Sequence, residues 1–422
     1  MNGILYVIYS NKWQFVFEIR AGGIGLKMNT SPLNIAVIDD GVNEKLYQTG
    51  RLLYNLEITH DLTVCDRVDY DPFLPSHGTT CAAIIKKYSP EAVLSSIKIL
   101  DSSSRTGMKA QLVCALKWCA DNNVSIVNLS LGTIDYRDFN EVKEAVEYAF
   151  DKNVIVVAAC NNRNIFTCPA SLEKVIGVRY GFTEVLKEGE YTFNFDCMDG
   201  INIAACAKHN LKKYDGTEKV TNECNSYAAP MVTAYVYNIL RNHPNMSFNE
   251  IIDKLQQETD KKNYTDCIES FRNSIEPDIP IILVNNNSID DFEKGLTGKF
   301  RSDGFNAVCV YENIKETDIC NGDINIRHFF NHQLPSLKKC FYNICNIFVP
   351  DILLLSYGNQ KSDIMLMKEI TKMDFDIEIC VNNTLDVEVK SSYGIRVFKR
   401  FDNNQLDNLY SYILELFEKE EK

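Results

Sequence analysis

No run in the 422-residue sequence stays apolar for the roughly 18–20 residues that a membrane-spanning helix needs. The first residues, MNGILYVIYSNKWQFVFEIR, lack a basic leader, and Asn11, Lys12 and Gln14 interrupt the apolar run before a secretory signal core can form. Neither a membrane nor export is therefore expected, and the expected location is cytoplasmic. Cysteine itself is plentiful, at fifteen, but the count is odd and no C-x-x-C pair occurs. Cys114, Cys119, Cys309, Cys340 and Cys345 fall inside apolar helix or strand patterns, which suits reduced, buried thiols better than a disulfide framework. No D-x-D-x-D-G loop, no H-E-x-x-H pair and no Cys/His cluster is present, so no metal is expected. G-x-G-x-x-G and G-x-x-x-x-G-K-[ST] are also missing, which leaves no cofactor to expect. Basic residues are outnumbered, 44 against 57 acidic ones, for a net charge of −13. That balance argues against nucleic acid and leaves open a peptide or protein substrate with basic residues, although acidity also serves solubility alone.

Hydrophobic residues make up 45% and charged residues 24%, ordinary values for a globular chain whose length suits two domains. After an N-terminal extension (1–30), apolar β-like runs alternate with amphipathic helix patterns. The strand candidates are 33–39, 92–100, 124–131, 154–159 and 201–205; the helix candidates are 108–121, 138–151 and 226–241. Continuous apolar strands separated by helices predict a parallel sheet covered on both faces over 31–258. A polar stretch, 259–278, reads as a linker. A second α/β domain follows over 279–422, with strands at 279–285, 305–311, 350–357 and 376–382 and a last helix at 404–419.

Four separated segments carry chemistry. VIDDGV (37–42) is a buried strand ending in a carboxylate, and HGTTCAA (77–83) is a histidine opening a helix of small residues. AACNN (158–162) is a strand end that presents Asn161, and NSYAAP (225–230) sets Ser226 at a helix start. Acyl transfer needs these types. A serine hydroxyl is a weak nucleophile until an imidazole accepts its proton, and the imidazole needs a carboxylate to fix its tautomer. The oxyanion needs donors, which an asparagine amide and a backbone N–H at a helix N-terminus supply. Each residue also has a plainer role open to it: Asp39 and Asn161 as turn formers, His77 and Ser226 at helix starts.

In this order and spacing the segments resemble the subtilisin-like (subtilase) family across about residues 33–245. SIKILD (96–101), ALKWCADNNVSIVNLSLG (115–132) and TCPASLEKVIGV (167–178) are similar to further stretches of that family. The resemblance implies a subtilisin-like doubly wound parallel sheet, to which the pattern over 279–422 adds a second, smaller α/β domain. It implies Asp39, His77 and Ser226 as catalytic triad, Asn161 as oxyanion donor, and Ser130, Leu131, Gly132, Ala159 and Cys160 as substrate-binding positions. Asp40 resembles the second acid of the kexin-like branch, which contacts a basic substrate residue; its alternative is to turn inward onto backbone amides. Asp135 reads as a loop carboxylate ahead of a helix better capped by Asp138 and Glu141. The calcium loop common after the catalytic His is absent from CAAIIKKYSPEAVLSSIKIL (81–100). Cys160 and Cys224 stand where the family usually has Gly and part of Gly-Thr-Ser. The implied function is an intracellular serine endopeptidase of limited specificity, such as one that removes a leader peptide. The alternative is an inactive relative that binds or scaffolds peptides. The C-terminal domain, whose SYGNQKSD loop (356–363) follows a strand, is expected to meet substrate or a partner protein.

Overall fold

The computed structural model describes residues 18–20, 23–25, 32–101, 107–163, 165–193, 199–259, 278–286, 288–311, 314, 317–326, 337–357 and 374–420. The 260–277 part of the expected linker, most of the N-terminal extension and the 358–363 part of SYGNQKSD lie outside the described residues.

Two short antiparallel strands, β1 (Glu18–Arg20) and β2 (Gly23–Gly25), precede the first domain. Its strands are β3 (Asn34–Asp39), β4 (Asn55–Ile58), β5 (Val64–Asp66), β6 (Val93–Lys98), β7 (Ile126–Leu129), β8 (Ile155–Ala159), β9 (Val175–Tyr180), β10 (Tyr191–Phe193) and β11 (Ile203–Ala205). They form one sheet ordered β10-β11-β9-β8-β7-β3-β6-β4-β5, parallel except at its two edges. The helices are α1 (His77–Tyr88), α2 (Lys109–Asp121), α3 (Phe139–Asp151), α4 (Asn225–Asn242) and α5 (Phe248–Gln257). Leu112 and Leu116 of α2 and Val142 and Val146 of α3 pack on one face; Ile84 of α1, Val232 of α4 and Ile251 of α5 pack on the other. Burial from both faces explains why β3, β7 and β8 are apolar without alternation. A small hairpin, β12 (Asn210–Lys212) with β13 (Glu218–Val220), precedes α4.

The chain runs from β3 to β6 on one side and then to β7, β8 and β9 on the other. The strand order thus reverses at the β3–β7 boundary, where open parallel sheets hold ligands beyond the carboxyl ends of their strands.

The second domain is a seven-stranded sheet, with β14 (Ile281–Asn286), β15 (Ala307–Tyr311), β16 (Asp323–Asn325), β17 (Ile352–Tyr357), β18 (Ile377–Val381), β19 (Val387–Ser391) and β20 (Gly394–Phe398). Its order is β16-β15-β17-β14-β18-β19-β20. The sequence patterns anticipated β14, β15, β17 and β18 and the last helix, but not β16, the pair β19–β20, or the helices over Phe292–Ser302 and Leu337–Phe348. Helices α6 (Phe292–Ser302) and α8 (Leu406–Glu420) cover one face. The other face carries α7 (Leu337–Phe348), whose Phe341, Ile344 and Phe348 join the same apolar cluster as α2 and α3 of the first domain. Among the described residues no helix is long and apolar enough to cross a membrane.

Candidate active site

The carboxyl end of β3 delivers Asp39, which is 1% exposed. Ser76 caps α1: its Oγ accepts the Thr79 N–H at 3.1 Å and donates to the Gly41 carbonyl at 2.7 Å, fastening the helix to the turn after Asp39. Gly78 permits that approach, since a Cβ there would stand 2.9 Å from the Gly41 oxygen and 3.0 Å from Asp39 Cβ. His77 Nδ1 consequently lies 2.8 and 3.0 Å from the two Asp39 carboxylate oxygens. This pairing puts the proton on Nδ1 and leaves Nε2 as the base.

Burial works against the charged imidazole, while the neighbouring Cys81 sulfur and the Asp39 carboxylate favour it; the net shift of His77 is upward from 6.5. Burial raises Cys81 as well, so its thiol stays neutral and the charge that favours the imidazolium is that of Asp39. Burial also raises Asp39, against the lowering effect of its bond to His77. The Tyr227 ring stacks on His77 at a centroid distance of 5.2 Å and fixes the other side of the imidazole.

Ser226 sits in the first turn of α4. Pro230 has no N–H to bond the carbonyl four residues back, so the Ser226 carbonyl escapes the helix ladder. That carbonyl accepts the Ser130 hydroxyl at 3.0 Å and the Cys81 thiol at 3.6 Å. Asn128 supports Ser130 in turn: its Nδ2 donates to Ser130 Oγ at 3.3 Å and its Oδ1 accepts from Thr233 at 2.9 Å. The Ser226 hydroxyl donates to the Ser130 carbonyl at 3.4 Å. Just past the end of β8, Asn161 Oδ1 accepts the Arg163 N–H at 2.8 Å, which identifies that atom as oxygen and leaves the Nδ2 donor for the cavity.

Asp39, His77, Ser226 and Asn161 line one cavity of about 480 Å³, together with Ser130, Leu131, Gly132, Ala159 and Cys160. Gly132 is needed there because a Cβ would meet the Cys168 carbonyl at 2.7 Å, where Thr133 and Cys168 bridge the two walls. Ile99, Leu100, Met108, Leu112 and Val142 make the cavity's apolar end. Besides Asp39, Asp138 also lines the cavity; it accepts Thr133 Oγ1 at 2.9 Å and pairs with Lys109 at 3.4 Å.

Two expectations change. Asp40 does not face the cleft: it is 2% exposed, and its carboxylate accepts the backbone N–H groups of His77 at 3.0 Å and Gly78 at 2.8 Å. Two unpaired amides and the positive end of α1 hold the charge inward, so the case for a basic substrate residue loses its anchor. Asp138 occupies the cap position of α3 without a side-chain cap bond, its oxygens being taken by Thr133 and Lys109. Asp135 turns onto Arg137, as a loop carboxylate would. Residue pattern gave no role to Cys81, Asn128 or Tyr227. The first was legible in principle, since positions 77 and 81 share a helix face.

Donor atoms of Asp39, His77 and Cys81 lie within 4.8 Å of one another, so this trio is the group, among the described residues, with the geometry to hold a metal ion. Such an ion would occupy the carboxylate–imidazole pair itself.

The Subtilase family model matches residues 31–273. A thermophilic serine proteinase of Bacillus sp. (strain AK1) is 31% identical over 163 residues, 35% of this chain and 38% of that one. Subtilisin DY of Bacillus licheniformis is 27% identical over 203 residues, covering 42% and 68%. Among solved structures, sphericase superposes with a TM-score of 0.46 at 23% identity, covering 54% of this chain and 83% of its own. The chain thus spans well under half of the first relative's length and about two thirds of the second's. A family match over more than half of the chain, with the Asp39, His77 and Ser226 motifs inside it, makes this protein a member of the subtilase family.

Proposed function

We propose that the protein is a serine endopeptidase working through an acyl-enzyme. The observation that carries this reading is the Asp39–His77 pair opening into the same cavity as Ser226 and Asn161. Rotation about the Ser226 side-chain bond moves the hydroxyl from the Ser130 carbonyl toward His77 Nε2. The imidazole takes its proton as the oxygen attacks the peptide carbonyl, and Asp39 stabilises the imidazolium. The oxyanion is met by Asn161 Nδ2 and by the backbone N–H of Ser226 at the positive end of α4. His77 then protonates the departing amine, and water repeats the sequence on the ester.

The substrate side is an extended peptide with apolar residues. Ile99, Leu100, Leu112, Leu131 and Val142 supply the contact surface, while Cys160 adds bulk beside the oxyanion position and Asp138 is already paired. A cleft of this kind suits limited processing, such as leader removal inside the cell, better than general digestion. The second reading, a peptide-binding relative without turnover, draws on the Ser226 hydroxyl being bonded to the Ser130 carbonyl. A fluorophosphonate probe decides. Labelling of the wild type but not of Ser226→Ala, with cleavage in a peptide library, supports the protease; absence of both supports the binder.

A further inference from the structure

The residue before the nucleophile, Asn225, is 1% exposed, and its side-chain amide and backbone N–H are all bonded within the protein. Its Nδ2 donates to the Asn161 carbonyl at 2.9 Å, and its Oδ1 accepts the Tyr180 N–H at 2.7 Å at the end of β9. Its own backbone N–H donates to Asn162 Oδ1 at 3.2 Å. Cys224, at the cap of α4, offers no side-chain cap bond, and Asn162, from another part of the chain, accepts the N–H of the helix's first residue. The nucleophile helix and the oxyanion loop therefore hold each other reciprocally, with β9 as the fixed point. One residue links the two donors that must converge on one oxygen: the Ser226 N–H, next to it in sequence, and the Asn161 amide, whose backbone it grips.

We infer that Asn225 is a positioning residue that sets the separation of the two oxyanion donors. The inference rests on the acyl-enzyme reading above. The Asn161 side chain is steered from its backbone, held by Asn225 at the carbonyl and by Thr167 Oγ1 at the N–H, 2.9 Å away. Without the grip on the carbonyl, the loop keeps its place through Thr167 but loses the orientation that aims Nδ2. Misplacement by about 1 Å at a reacting centre lowers rate by up to ~100-fold, so kcat should fall by roughly 10- to 100-fold with KM near the wild-type value.

Two variants and one cross carry the test. Asn225→Ala removes both side-chain bonds; Asn225→Asp keeps an acceptor for the Tyr180 N–H but sets a carboxylate oxygen against the Asn161 carbonyl. Fluorophosphonate labelling rates, each normalised to the fraction of molecules finally labelled, report the site of folded molecules alone. Both variants should label more slowly than wild type. In an Asn161→Ala background, Asn225→Ala should add nothing, because the group it aims is gone. Wild type that never labels removes the protease reading itself. A labelled wild type whose Asn225 variants label at the same rate, or an Asn225→Ala effect undiminished by Asn161→Ala, overturns the positioning role.

Discussion

Acidification should destabilise this protein through one buried imidazole. His209 is 0% exposed, with Nε2 2.9 Å from the Tyr227 carbonyl and Nδ1 2.7 Å from the Tyr88 hydroxyl. A carbonyl only accepts, so Nε2 carries the proton and Nδ1 accepts from Tyr88; the neutral ring is fully satisfied. Burial lowers its pKa from 6.5 to about 4, against the raising effects of the Tyr227 carbonyl and Glu188 and with a smaller lowering effect from Lys87. A depressed folded value means that the unfolded chain binds the proton first. Stability is therefore intact above 6.5 and drains as pH falls toward 4. At 1.36 kcal/mol for each unit of difference, the gap corresponds to about 3 kcal/mol. In a domain of this size that is a fall in Tm of roughly 6–12 °C. The assay is urea unfolding from pH 7.5 to 4 on wild type and His209→Gln, a neutral side chain that does not titrate in this range. The variant begins less stable because a buried contact is lost, but the difference between the two proteins should shrink by about 3 kcal/mol across the window. Parallel curves would refute the reasoning, since other acid-sensitive groups are common to both.

The other predictions concern the site and its supports. Ser226→Ala should abolish cleavage with Tm nearly unchanged; His77→Ala should abolish it too, with some loss of Tm because the buried Asp39 loses its partner, and the double variant should be no less active than either single. The kcat/KM profile should rise with pH with a midpoint above the ordinary 6.5 of histidine, because only neutral His77 is a base and Asp39 holds its proton; Asp39→Asn should lower that midpoint in whatever activity remains. Asp40→Asn should lower stability by about 1–3 kcal/mol through the amides of α1, and leave the relative rates on matched Lys, Gln and Leu peptides unchanged. A rate ratio that moved would put Asp40 back in the cleft.

The first domain was legible because its elements obey local rules that agree with one another. NIAVID and IVVAA are buried on both faces, and their continuous apolar character shows it. His77 and Ser226 stand at helix starts, where small neighbours and a nearby proline leave signals in sequence. The orientation of a single carboxylate is not written that way. Asp40 reads identically whether it faces substrate or the two N–H groups of α1, and only the packing of α1 against β3 decides. Asn225 escaped notice for the same reason: its partners lie 45 and 64 residues away in the chain.

The second domain was the least legible in purpose, and its packing explains why. Its α7 face is not an open recognition surface but lies against the first domain, where no pattern within either domain would register it. The Phe166 N–H donates to the Ile347 carbonyl at 2.8 Å, and its ring packs 5.1 Å from Phe139 and 5.4 Å from Phe348. Phe166 is followed by Thr167, whose hydroxyl accepts the Asn161 N–H. The end of α7 thus bonds the residue next to Thr167, which in turn holds the loop carrying Asn161. Phe348→Ala removes a largely buried ring from that contact, a change that commonly costs about 3–5 kcal/mol in a core. If the contact supports the loop, the variant should lose kcat in molecules that remain folded, with KM little altered. A loss confined to Tm, with kcat intact, would show that the second domain is held on by this ring without holding the site.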